Sequence, residues 1–85
     1  MFMPDPRKLP QVLYIEDSEE SRSLVRRLLS KKYVILEAAD PLDGLQLAEE
    51  THPNLILLDH NLPNMSGSEA ATRLKKMLPD TPIVI

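Results

Sequence analysis

The feature that most constrains the fold is an alternation between short apolar runs and segments of helical periodicity. Four runs are typical of β-strands, and the helical segments between them are about a dozen residues long. The runs are VLYI at Val12–Ile15, YVILEAA at Tyr33–Ala39, NLILL at Asn54–Leu58 and the closing PIVI. This order predicts parallel β-α-β units with right-handed crossovers, and therefore an open α/β sheet.

Each helical segment has recognisable start or stop signals. Ser18, Asp40 and Ser66 stand at N-cap positions, Pro41 suits a first helical position, and Pro53 requires the second helix to end before it. Apolar residues at helical spacing predict the sides that face the sheet. They are Leu24, Val25, Leu28 and Leu29 in the first helix, Leu42, Leu45 and Ala48 in the second, and Ala70, Ala71, Leu74, Met77 and Leu78 in the third.

Composition limits the classes of function. A chain of 85 residues is long enough for one small domain. Its 10 basic and 13 acidic residues, a net charge of −3, argue against a nucleic-acid or anionic-membrane partner. It has no cysteine, which excludes disulfides and thiolate chemistry, and no apolar run approaches the ~20 residues that cross a bilayer. We expect a cytoplasmic domain at residues 11–85 after an extended, proline-interrupted lead-in at residues 1–10, with no signal peptide.

Acidic residues follow two of the expected strands. Glu16 and Asp17 come after the first, and Asp59 comes after the third. In the strand order 2-1-3-4 these strands are neighbours, ~4.8 Å apart, with their carboxyl ends at one crevice. A hard divalent cation such as Mg²⁺ would relieve the repulsion among the carboxylates and keep a position for a phosphate oxygen. On pattern alone the alternative is that Glu16 and Asp17 only precede and cap a helix, and that Asp59 is an ordinary strand-end residue.

Three motifs give the sequence a family resemblance. VLYIED, EAADPLDGLQLAEE and, most specifically, PNLILLDHNLPNMSG resemble the receiver domain of two-component response regulators. The last motif has an Asp after an apolar strand, then a Leu-Pro pair and a Gly. The similarity runs from Gln11 to Ile85. It implies a flavodoxin-like receiver fold with strand order 2-1-3-4, in which the fifth strand and last two helices of a complete receiver are absent.

The resemblance also implies a role for each acidic residue. Asp59 matches the phosphoacceptor, which takes a phosphoryl group from a phosphohistidine on a sensor histidine kinase or phosphotransfer protein. Glu16 and Asp17 match the pair that holds Mg²⁺, or Mn²⁺ as a substitute, Asp17 directly and Glu16 partly through water. Asn61 matches the position whose backbone carbonyl binds the ion.

Other loop residues are interpreted as structural. Pro63 and Gly67 match positions that shape the loop and its return into the helix. His60 is interpreted as a solvated loop residue, His52 as a helix-end residue, and Met65 as a packing residue.

A complete receiver continues beyond the residues that this chain contains. Its fourth strand is followed by a Ser or Thr, and its fifth strand ends in a Lys, both of which contact the phosphoryl group; the sequence stops at Ile85, before either. We therefore expect a shortened or proteolysed chain, with a naturally short protein as the alternative. Phosphorylation should be slow without the Lys, and the chain should self-associate through a bare sheet face or the edge of its fourth strand.

Two other functions stay open. A receiver of this kind could act through protein contacts alone, without phosphorylation. A small Mg²⁺-dependent phosphatase of another α/β family also uses a strand-end Asp nucleophile, but such enzymes usually need a second Asp two residues on, where this chain has Asn61. The expected function is that of a signalling module and not of an enzyme.

Overall fold

The computed structural model describes residues 8–59, 61–62 and 64–85. These residues form β1 (Gln11–Ile15), α1 (Glu19–Leu29), β2 (Val34–Ala38), α2 (Pro41–Thr51), β3 (Leu55–Leu58), α3 (Gly67–Met77) and β4 (Ile83–Val84). All strand pairs are parallel, in the order β2-β1-β3-β4. The open α/β fold and its strand order are thus confirmed. Most of the expected lead-in, at residues 1–7, and the interpretations of His60 and Pro63 lie outside the described residues.

The strand register brings three carboxyl ends to the same level. Ile15 pairs with Ala38 of β2 on one side and with Leu58 of β3 on the other. The hydrogen bonds continue past the strand ends, because the Glu16 N–H donates to the Ala38 carbonyl and the Asp59 N–H to the Ile15 carbonyl, each at 3.0 Å. The backbone of both acidic residues is therefore fixed by the sheet.

The hydrophobic core lies on the side of the sheet that α2 and α3 cover. Leu13, Ile15 and Ile56 are fully buried there, together with Ala48 of α2 and Leu74 of α3. The predicted apolar side of α3 is confirmed, since Ala70 and Leu78 are also buried and Ala71 and Met77 pack against the core. Met65 joins the same cluster, as expected of a packing residue.

A glycine lets α2 lie close to β1. A Cβ atom added at Gly44 would lie 2.5 Å from Ile15 Cδ1 and 2.7 Å from Ile15 Cγ1. Ile15 is itself fully buried and has little room to move. The close approach of helix and strand therefore depends on the absence of a side chain at position 44.

All three predicted N-caps are confirmed. The side chains of Ser18, Asp40 and Ser66 each accept a hydrogen bond from the backbone N–H three residues on, at 3.2, 2.9 and 3.1 Å. Pro41 occupies the first turn of α2, and that helix ends at Thr51, before Pro53. His52 is its C-cap in the left-handed conformation, with φ of 49°, which confirms its interpretation as a helix-end residue.

Several strand boundaries differ from the prediction by one residue, and two of these differences have visible reasons. Tyr33 is not part of β2, because its N–H donates to the Leu29 carbonyl and continues the end of α1. Asn54 precedes β3 and pairs with Gln11 partly through its side chain, whose Oδ1 accepts the Gln11 N–H at 2.8 Å. Gly67 lies at the return into the helix, as the first residue of α3, but its φ is not positive. Among the described residues of the loop, the left-handed one is Asn64, with φ of 67°.

The predicted burial of α1 was wrong for half of its apolar stripe. Leu24 is 49% exposed and Leu28 is 70% exposed, while Val25 and Leu29 are half-buried. The reason is that α1 packs mainly against β2, at one edge of the sheet, so part of its apolar side faces no strand. In α2, Leu42 is likewise 60% exposed, whereas Pro41 beside it is fully buried.

The sheet face on the side of α1 is therefore only partly covered. A depression of about 480 Å³ opens there and runs to the carboxyl ends of β1 and β3. Its apolar walls include Tyr14, Val25, Leu57 and Val84.

None of the helices in the described part of the chain is both long and apolar enough to cross a membrane.

Candidate functional site

Three carboxylates meet at the carboxyl ends of β1 and β3. Glu16, Asp17 and Asp59 each offer a carboxylate oxygen, and these oxygens all lie within 4.8 Å of one another. Glu16 is buried, Asp59 is half-buried and Asp17 is exposed. The structure thus brings together the three acidic side chains that the sequence singled out, in a cluster that opens to solvent on the side of Asp17.

The surroundings of Glu16 raise its pKa. Burial, a hydrogen bond with Asp59, and the charges of Asp59 and Asp17 together raise its pKa from 4.5 to about 7, against a smaller opposing effect of the Ser18 backbone N–H. Burial contributes most, because an ionised carboxylate loses hydration in the interior. The cluster therefore retains a proton at pH values where isolated carboxylates have lost theirs.

The donor set fits a hard divalent cation. Glu16 Oε2 is buried and, among the described residues, has no hydrogen-bond partner. A buried carboxylate oxygen without a partner is costly, and a bound cation would satisfy it. Carboxylate oxygens are the ligands that Mg²⁺ prefers, and the exposure of Asp17 leaves room for the waters that Mg²⁺ keeps.

Asn61 and Tyr14 lie beside this cluster. The Asn61 N–H donates to Asp59 Oδ1 at a long 3.4 Å, and Asn61 is exposed. The assignment of its carbonyl as a metal ligand stays a prediction. Tyr14, one wall of the adjoining depression, has its pKa raised by burial and by the charges of Glu16 and Asp59, so its hydroxyl stays neutral.

One residue that contacts this region was not predicted from the sequence. Arg22 of α1 donates from Nη1 to the backbone carbonyl of Glu16 at 2.6 Å and forms an ion pair with Glu37 of β2. The available signal was Glu37 itself, the one charged residue within an apolar strand, which needs a partner when it is partly buried. The sequence alone did not reveal which of the basic residues of α1 would meet it.

Comparison with known families decides the classification. The family model described as "Response regulator receiver domain" matches residues 12–85. The chain belongs to this family. It is therefore a receiver module of two-component signalling.

Curated relatives include proteins of very different length. The chain is 37% identical over 76 residues to the autoinducer 1 sensor kinase/phosphatase LuxN of Vibrio campbellii. The aligned region covers 88% of this chain and 9% of LuxN. It is 40% identical over 65 residues to the polar-differentiation response regulator DivK of Brucella ovis. The aligned region covers 75% of this chain and 53% of DivK. The chain thus spans about half of DivK and about a tenth of LuxN.

Solved structures agree with this classification. A CheY-like response regulator receiver domain protein from Methanospirillum hungatei superimposes with a TM-score of 0.86 at 27% identity, over 89% of this chain and 62% of that one. The chemotaxis response regulator CheY4 of Vibrio cholerae gives a TM-score of 0.79 at 32% identity, over 89% and 66%.

Proposed function

We propose that the receiver module accepts a phosphoryl group on Asp59 from a phosphohistidine of a sensor histidine kinase or phosphotransfer protein. The single observation that supports this most is the convergence of Glu16, Asp17 and Asp59 at the ends of two adjacent strands, in a chain of this family. The resemblance of the loop after β3 to the family's phosphorylation loop points to Asp59 as the acceptor.

An ionised Asp59 is already a nucleophile and needs no general base for this transfer. A carboxylate oxygen of Asp59 attacks phosphorus, an acyl phosphate bond forms, and the N–P bond of the phosphohistidine breaks, its electron pair passing to the imidazole. Attack needs the ionised form of Asp59, and a bound divalent cation would favour the ionised form of every carboxylate in the cluster.

Repulsion between the acidic cluster and the incoming phosphoryl oxygens is the main obstacle. Glu16, Asp17 and Asp59 would hold Mg²⁺, or Mn²⁺ in its place, with the Asn61 carbonyl as a further ligand. When bound, the ion neutralises charge and orients the phosphoryl oxygens. This role makes the module a substrate and a switch and not an enzyme, in a cytoplasmic signalling pathway.

The exposed apolar surface supports a second partner, another copy of the chain. Val84 and Ile85 are 53% and 62% exposed at the open edge of the sheet, beside the depression that Tyr14 and Leu57 line. Exposed apolar patches and unpaired strand edges favour association. We infer that the module self-associates through this face or through the edge of β4.

A phosphoryl mimic tests the proposed acceptor. Beryllofluoride should bind the wild-type chain only when Mg²⁺ is present, and fluorine NMR should show a bound signal that Asp59→Asn abolishes. Asp80→Asn is the matched control, because Asp80 is exposed in the turn before β4, at the opposite end of the sheet. Binding of Mg²⁺ without any bound beryllofluoride would contradict the acceptor role and favour a receiver that acts through protein contacts alone.

A further inference from the structure

We propose that Arg22 is a positioning residue of the acidic site, which acts by holding the peptide unit between Glu16 and Asp17. The inference rests on the proposed function, because it concerns residues that would bind Mg²⁺. Arg22 itself lies on α1 and touches no carboxylate of the cluster in the described structure. Its effect on the site would pass through the backbone.

The Arg22 guanidinium has three acceptors at once. Nη1 donates to the Glu16 carbonyl oxygen at 2.6 Å, Nη2 to Glu19 Oε2 at 2.5 Å, and Nε lies 3.4 Å from Glu37 Oε1. The Arg22 side chain is only 13% exposed. Because the donors of a guanidinium form a rigid, planar fork, acceptors on several sides hold the whole group in one orientation.

The contact with the Glu16 carbonyl lies in the backbone between the two neighbouring acidic residues of the site. The Glu16 carbonyl belongs to the same planar peptide unit as the Asp17 N–H. The preceding peptide unit is also fixed, because the Glu16 N–H donates to the Ala38 carbonyl at 3.0 Å. With both units held, the two backbone rotations at Glu16 are restricted, and the amide that leads into Asp17 is fixed. Arg22 thereby holds the direction of the Glu16 side chain and the position at which Asp17 begins.

The charge of Arg22 is not the main effect. Glu19 and Glu37 both contact Arg22, and Arg26 also donates to Glu37, at 2.5 Å. The two arginines and two glutamates carry no net charge together, so their field at the acidic cluster is that of a neutral group. What Arg22 adds beyond this group is its hydrogen bond to the Glu16 carbonyl.

Arg26 offers a matched control. It lies one turn further along α1, carries the same side chain and pairs with the same Glu37, but none of its described hydrogen bonds reaches Glu16. A purely structural role in joining α1 to β2 would be shared by both arginines. A positioning role would belong to Arg22 alone.

The test is calorimetric titration of Mg²⁺ into the wild-type chain and its Arg22→Met, Arg22→Lys and Arg26→Met variants. We expect Arg22→Met to weaken binding about tenfold, as loss of an outer-shell contact does at metal sites. Arg26→Met should bind as wild type does. Arg22→Lys should be weaker than wild type, since an ammonium cannot serve the Glu16 carbonyl and both glutamates together.

Amide hydrogen exchange without Mg²⁺ provides a second readout, independent of the metal. Exchange at the Glu16 amide, whose N–H donates to the Ala38 carbonyl, should become faster in Arg22→Met than in Arg26→Met. Equal effects of the two methionine variants, in affinity or in exchange, would overturn the inference, and so would wild-type affinity in Arg22→Lys. If Arg22→Met does not fold, the lysine variant decides. Failure of the wild-type chain to bind Mg²⁺ would refute the proposed function instead, while exchange would still test the positioning.

Discussion

Glu16→Gln should stabilise the metal-free chain at alkaline pH, although it removes a residue proposed to bind the metal. Glu16 is 8% exposed and its Oε2 has no hydrogen-bond partner among the described residues. Its pKa of about 7, against 4.5 in the unfolded chain, means that the folded state binds the proton more tightly. Glutamine has nearly the same shape and no charge, so it relieves the cost of a buried carboxylate.

The direction of the pH dependence follows from the raised pKa. Between pH 4.5 and about 7 the folded state retains a proton that the unfolded state has lost, so the stability of the fold falls as the pH rises through this range. Above it the full penalty applies. At 1.36 kcal/mol for each pKa unit, the shift corresponds to at most about 3 kcal/mol, because solvent screens the charges of Asp59 and Asp17 that contribute to it.

Urea unfolding in the presence of a chelator measures this difference. At pH 8.5, Glu16→Gln should raise the free energy of unfolding by up to about 3 kcal/mol, and at pH 4 by almost nothing. Glu20→Gln, at an exposed position of α1, is the control for a simple change in net charge. Saturating Mg²⁺ should stabilise wild type and reduce the advantage of the variant. An advantage that is equal at both pH values, or a loss of stability at pH 8.5, would refute the reasoning.

Three further predictions concern the metal, the packing and the surface. Asp17→Asn should weaken Mg²⁺ binding in calorimetry by removing a charged oxygen ligand, and affinity equal to wild type would remove Asp17 from the site. Gly44→Ala should lower the free energy of unfolding by about 1 kcal/mol, because the clash with buried Ile15 outweighs the gain in helix propensity, and a stabilised variant would contradict the packing. Sedimentation at high micromolar concentration should show self-association that Val84→Lys reduces, whereas a wild-type monomer would refute it.

Features with strong local determinants were predictable from the sequence. The caps at Ser18, Asp40 and Ser66 depend on a side chain and an N–H three residues away, and all three form. The strand order followed from the β-α-β alternation together with the family resemblance. Because Glu16 and Asp59 directly follow strands that pair in register, their meeting at one edge was predictable as well.

The burial of individual side chains was not predictable where it depends on how many other elements pack against them. Periodicity identified the apolar side of α1, but whether Leu28 is buried depends on how many strands lie beneath it, and α1 packs mainly on β2. The same limit applies to the acidic pair. The sequence could not tell that Glu16 would be buried and Asp17 exposed, because this depends on the turn between β1 and α1.

Contacts between distant side chains were also beyond the sequence. Several basic residues of α1 could have met Glu37, and only the rotation of the helix over β2 selects Arg22 and Arg26. Gly44 was likewise missed, because a glycine within a helix gives no sign of the isoleucine that it faces.

The central claim, that Asp59 accepts a phosphoryl group, is tested most directly by mass spectrometry. The chain is incubated with acetyl phosphate and Mg²⁺, and its intact mass and peptide map are measured over time. We predict slow addition of one phosphoryl group, on Asp59, that is lost when Mg²⁺ is chelated and absent in Asp59→Asn. A phosphoryl group on another residue, or equal modification of Asp59→Asn, would contradict the account.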